Sequence, residues 1–125
     1  MTPVKEQEDC TGIKHQKECT MHLVAVKDTM DILSGKWKIA ILAALTFETY
    51  RFKELARLVG VTPKMLSKEL KELEMNQLVK RTVYDTTPVT VEYSMTPYGK
   101  TLSSVLKEMH TWGAQHRKRI MKKGS

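Results

Sequence analysis

The sequence holds 125 residues, enough for one domain with a thin core and little room for a second. Hydrophobic residues make up 41% and charged residues 28%, a globular balance that excludes a disordered chain. Lys plus Arg number 21 against 14 Asp plus Glu, and the resulting +7 favours a polyanionic partner, nucleic acid before an anionic membrane surface.

In chain order, residues 1–22 are polar, of mixed charge and without a period, and read as an arm. Their opening, MTPVKEQEDC, lacks the apolar stretch of a signal peptide. No apolar run anywhere approaches the ~20 residues of a membrane span, so a cytoplasmic protein with no membrane partner is expected. Two cysteines in that compartment do not suggest a disulfide framework. From Leu23 to Leu33 the pattern turns helical, with Leu23, Val26, Met30 and Leu33 at three- and four-residue steps. Ser34-Gly35 breaks it. The stretch from Lys36 to Thr46 is apolar nearly all round and predicts a buried central helix, with residues 47–50 as a connection.

Arg51 to Val59 predicts a short amphipathic helix with Phe52, Leu55, Ala56 and Val59 inward. Gly60 suits its left-handed C-terminus, Thr62 suits an N-cap and Pro63 a first helical position. A second helix therefore follows from Pro63 to about Met75. Leu66, Leu70 and Leu73 share one face of it; Lys64, Lys68 and Lys71 share the opposite face. Glu69, Glu72 and Glu74 on the same helix keep its net charge small. Leu78–Tyr84 and Val89–Met95, rich in Val, Tyr and Thr, predict a hairpin with its tip at residues 85–88. Thr96-Pro97 repeats the cap-then-proline signal and starts a last helix running to about Met121, with Leu102, Leu106, Met109, Trp112 and His116 in one stripe. It ends in RKRIMKK, at the negative end of the helix dipole.

This order gives a mainly α chain with a small β-hairpin, an α+β fold of the winged helix-turn-helix type. The expected division is an arm at 1–22, a DNA-binding domain with a C-terminal dimerisation helix at 23–121, and a tail at 122–125. A helix that is apolar inside and cationic outside, held by a tight turn to the helix before it, fits the major groove of double-stranded DNA. Thr62, Pro63, Lys64, Met65 and Ser67, near its start, are the candidates for base edges. Lys68, Lys71, Arg51, Lys53 and Arg81 are candidates for phosphate, and Thr86 and Thr87 at the wing tip for further contact. A lysine stripe by itself is more often a solvated face; the turn before it and the hairpin after it carry the inference. A winged helix that binds protein instead of DNA stays as the alternative, separable by the steep salt dependence of phosphate binding. The apolar stripes predict a homodimer closed by Leu23, Val26 and Met30 from one helix and by Leu102, Leu106, Met109 and Trp112 from the other.

The segments DILSGKWKIAILAAL (31–45), RFKELARLVGVTPKMLSKELKELEMNQLVKR (51–81), VEYSMTPYGKTL (91–102) and Trp112-Gly113 occur in this order. With them the chain resembles the HxlR family of winged-helix regulators, which are related in shape to MarR-type proteins. The resemblance spans about Ala25 to Gly113. It implies a dimeric repressor or activator on a palindromic operator; a small-molecule effector and thiol oxidation stay open as its signal. Two positions depart from the family pattern. The place of a cysteine that many members carry just before the first helix is held by Leu23 and Val24, and a basic residue common before the wing's VEY is replaced by Thr90.

Cys10, His15, Cys19 and His22 are residue types that bind metal, but their spacing matches no standard zinc finger. Cys19 and Cys10 are the candidates for redox chemistry, Lys17 and His22 favouring the thiolate and Glu18 opposing it. No phosphate-cradling Gly-rich loop, HExxH or nucleophile elbow is present. The sequence therefore predicts no enzyme, no cofactor and no metal.

Overall fold

A computed structural model of the chain describes residues 13–124, with side chains from 16 to 122. The chain divides into two units, Met1–Ser34 and Gly35–Ser125. The first contains helix α1, Ile13–Ile32, which begins well ahead of the expected start at Leu23. Part of the segment read as an arm is therefore helical. Residues 13–22 contain neither Gly nor Pro, so nothing blocks helix there. Nearly all side chains of α1 are exposed, so no apolar period marks its first turns. Cys19, on this helix, is disulfide-bonded, which corrects the expectation of no disulfide. That expectation rested on compartment chemistry; the geometry of a disulfide adds only the condition that two Cβ atoms approach within about 3.5–4.5 Å, which spacing in a sequence does not reveal. Cys10 and the side chain of His15 lie outside the described residues.

The second unit opens at Gly35, whose φ of 92° suits a residue without Cβ. It continues as α2 (Lys38–Phe47), β1 (Tyr50–Arg51), α3 (Phe52–Val59), α4 (Pro63–Met75), β2 (Val79–Tyr84), β3 (Thr90–Met95), a 3-10 turn (Gly99–Leu102) and α5 (Ser103–Gly124). The connection between α3 and α4 is fixed by local chemistry at both ends. Gly60 has φ 78° and ψ 41°, and its N–H donates to the Ala56 carbonyl. Thr62 is extended, and its Oγ1 accepts the Met65 N–H at 3.2 Å ahead of Pro63.

At the far end of α4, Gln77 takes a left-handed φ of 62°. The Leu78 N–H donates to Leu73 O at 3.0 Å and the Gln77 N–H to Glu74 O at 2.9 Å, the bonding of a Schellman stop. A side chain in that conformation is strained, so Gln77→Gly is expected to stabilise the unit by about 0.5–1 kcal/mol. A thermal melt should show a rise of a few degrees; a fall would mean that the Gln77 side chain contributes more than its backbone costs.

The sheet is antiparallel with the order β1-β3-β2, running from Val79 opposite Met95 to Tyr84 opposite Thr90. β1 adds Tyr50 opposite Tyr93 and Arg51 opposite Glu92. The expected hairpin is therefore three-stranded, because the end of the segment read as a connection pairs with β3. At two residues, β1 is too short to show alternation in the sequence. The expected last helix opens as a 3-10 turn and becomes α-helical only at Ser103. Ile41, Leu42 and Leu45 of α2, Leu55 of α3 and Leu66, Leu70 and Leu73 of α4 form the core of this unit. Leu78, Val79, Tyr93, Met95 and Leu106 close it from the sheet and α5.

Candidate nucleic-acid interface

The inner face of α4 is its leucine row, buried with relative exposures of 0–1%. That burial fixes the rotation of the helix, so Lys64, Lys68 and Lys71 stand on the exposed side, as the sequence predicts. Thr62, Pro63 and Met65 are also exposed and Ser67 is half-buried. Thr62 is committed to its cap, so its Oγ1 is engaged by the Met65 N–H while its hydroxyl proton remains to donate. Arg51 and Lys53 are exposed at the start of α3, where the Arg51 N–H donates to Glu54 Oε1 at 3.0 Å and closes the first turn.

On the wing, Arg81 is exposed on β2 opposite Tyr93, and Lys80 beside it is exposed opposite Ser94. Thr86 and Thr87 lie at the exposed tip. Thr86 holds the tip together, its Oγ1 lying 2.7 Å from Pro88 O and 3.2 Å from Thr90 Oγ1. The turn, helix and wing therefore carry the expected candidates, while Thr62 and Thr86 have local structural duties as well.

The acidic residues of α4 are where sequence reading and structure part. Glu69 and Glu72 were expected to dilute the cationic face. Instead both turn toward Lys38, the first residue of α2. Lys38 Nζ lies 2.7 Å from Glu69 Oε2 and 2.7 Å from Glu72 Oε1. The lysine is 4% exposed and Glu69 6%. Burial acts to lower the Lys38 pKa, but hydrogen bonds and charge from the two glutamates outweigh it and raise the pKa above the ordinary lysine value. Lys38, through its hydrogen bond, holds the Glu72 carboxyl below the usual carboxylate range despite some desolvation. A buried cation with one partner is costly; with two it is satisfied. The sequence shows where the two glutamates stand on the helix, though not the partner that binds them. Glu69 and Glu72 follow an i, i+3 step, and each directly precedes a leucine of the core row, which puts them on the flank beside it.

Among the described residues no group of His, Cys, Asp and Glu is arranged to hold a metal ion. Among them, too, no helix is long and apolar enough to cross a membrane.

Comparison with known proteins agrees with this geometry. The HxlR-like helix-turn-helix family matches residues 32–121. YtcD of Bacillus subtilis strain 168, named an HTH-type transcriptional regulator, is 40% identical over 98 residues, covering 78% of each chain. The YtcD crystal structure superposes with a TM-score of 0.70 at 40% identity over 74% of this chain and 96% of that one. The reduced form of the redox regulator HypR gives a TM-score of 0.73 at 35% identity over 78% of this chain and 98% of that one. With its turn, cationic helix and wing in the order these relatives share, the chain belongs to the HxlR-like helix-turn-helix family and is a DNA-binding transcription regulator.

Proposed function

We propose that the protein works as a cytoplasmic homodimer that reads a palindromic operator with two copies of α4, and that a small molecule or thiol oxidation changes its grip. The observation that carries the dimer is the apolar stripe of α5. Met109 is 44% and Trp112 66% exposed on a helix of 22 residues, the Trp112 ring stacked on His116 at 4.9 Å. Leu102 is half-buried and Leu106 is already buried in the core of its own chain, so Met109 and Trp112 offer the larger free apolar surface. Leu23, Val26 and Met30 on α1 are likewise exposed. Two-fold pairing that covers these residues would set two recognition helices about one DNA turn apart, ~34 Å.

Light scattering at micromolar concentration should give the mass of a dimer, and Met109→Glu with Trp112→Glu should give a monomer that has lost operator affinity. A wild-type monomer in that experiment overturns the reading.

Two features support a signal input. A cleft of about 420 Å³ between α2 and α5, lined by Ala43, Phe47, Leu106, Lys107 and His110, is within the size range of small-molecule sites. The thiol route draws on the disulfide at Cys19 and on the likeness to the redox regulator HypR. Added to protein first reduced at its disulfide, oxidant should alter operator binding by the wild type and leave a Cys10→Ser, Cys19→Ser double variant unchanged; equal responses remove the thiol route.

A further inference from the structure

We infer that Lys38 is a positioning residue for DNA recognition: from inside the domain it clamps α4 and keeps the charges of Glu69 and Glu72 off the face that meets DNA. The inference rests on the reading that α4 is the element that enters the groove.

Helix α4 carries three lysines and three glutamates. Spread evenly, those charges would nearly cancel and give phosphate little to attract. In the structure, Lys38 of α2 pairs with two of the glutamates, each through a 2.7 Å contact, and offsets one of their two charges. Glu69 is withdrawn to a side-chain exposure of 8%, while Glu72 stays at 41% on the flank. Lys64, Lys68 and Lys71 remain exposed on the outer face. Lys38 thus sorts the helix charges, acid bound inward and base outward.

The clamp also adds direction to the packing. Leucines hold a helix against a core through contacts that tolerate small rotations and slides. Two hydrogen bonds from one buried ammonium to carboxylates one turn apart define both the rotation and the axial position of α4. Contacts to base edges depend on that placement, whereas contacts to phosphate tolerate more error. Replacing a buried ionic triad by apolar groups is often neutral or favourable for stability, so a triad kept inside a small core is better explained by placement than by stability.

The test separates the two roles. The probes are a duplex enriched from a random library by repeated capture on the wild-type protein and a scrambled duplex of the same composition. Lys38→Met leaves both carboxylates unpaired; the triple variant Lys38→Met, Glu69→Leu, Glu72→Gln removes their charge as well. Lys38→Met is expected to weaken binding to both duplexes by about tenfold, through repulsion of phosphate. The triple variant should melt near the wild type and regain affinity for scrambled DNA. Its preference for the enriched duplex should stay lower by about tenfold, since only the leucine row, with no directional bond, now holds the helix.

If Lys38→Met does not fold, the triple variant, which buries no unpaired charge, decides the matter alone. Wild-type affinity and preference in folded Lys38→Met overturn the inference. So does full recovery of preference in the triple variant, which would make the triad a stabilising device only. Lys71→Ala is the control for the underlying reading. If it weakens binding while the Lys38 variants bind and discriminate normally, only this inference falls. If it has no effect, the assignment of α4 to DNA falls and the inference with it.

Discussion

Gly99→Ala is expected to destabilise the domain by about 3–5 kcal/mol and to lower its melting temperature by roughly 15–30 °C. Gly99 has an ordinary backbone conformation, so conformational freedom is not the reason for glycine here. A Cβ at this position would lie 2.1 Å from the Leu78 carbonyl oxygen and 3.0 Å from its carbon. Both are backbone atoms and neither can swing aside as a side chain would. The Leu78 oxygen accepts the Thr96 N–H at 3.1 Å, and Thr96 Oγ1 accepts the Gly99 N–H at 2.8 Å while donating to Gln77 O at 2.6 Å. The end of α4, the start of β2 and the entry to α5 thus meet at one point through backbone, and a methyl group forces them apart.

Gly60→Ala is the matched control. Its φ is 78°, but beyond its own backbone and its chain neighbours an added Cβ meets nothing within 4 Å, so it should cost only about 1–2 kcal/mol of conformational strain. Thermal melts of the two variants compare packing with strain directly. Should Gly99→Ala melt as high as Gly60→Ala, the close approach at Leu78 is looser than described.

Gly60 and Gly99 also illustrate which parts of the fold were legible in the sequence. Gly60, Thr62 and Pro63 act through their own backbone and near neighbours, and the turn between α3 and α4 was therefore readable. The leucine row of α4 was readable because burial on one side imposes a period. Gly99 acts through Leu78, and Lys38 acts through Glu69 and Glu72 more than thirty positions away, so neither leaves a local pattern. The two-residue β1 owes its existence to Tyr93 and Glu92 across the sheet. The first half of α1 left no signal for the opposite reason, since an exposed helix has no buried face to mark. At the candidate interface the outward lysines were legible. The fate of the glutamates was not, because charge on a helix reads as solvated until a buried partner is known.

The division of work along α4 gives the remaining large effect. Lys64 lies in the first turn, and the first turns of such a helix are the part that usually reaches base edges. Lys68 and Lys71 are exposed further along the same face; with the start of α4 in the groove, they are the candidates for phosphate. Lys64→Ala should therefore reduce the preference for an enriched duplex over a scrambled one by about 1–3 kcal/mol, the worth of a good base contact. Lys68→Ala and Lys71→Ala should weaken both duplexes about equally and lower the salt slope by roughly one unit each. None of the three belongs to the leucine row, and Lys68 acts on Glu72 of the clamp only through its charge from the exposed face, so all should melt close to the wild type. Titration of both duplexes at several salt concentrations separates the two classes, because a base contact changes the ratio of affinities and a phosphate contact changes the slope. If Lys64→Ala shifts the slope and leaves the ratio alone, Lys64 is a phosphate contact. Base reading then rests on Thr62, Met65 and Ser67, of which Thr62 retains a hydroxyl proton to donate and Met65 an exposed apolar surface for a thymine methyl group.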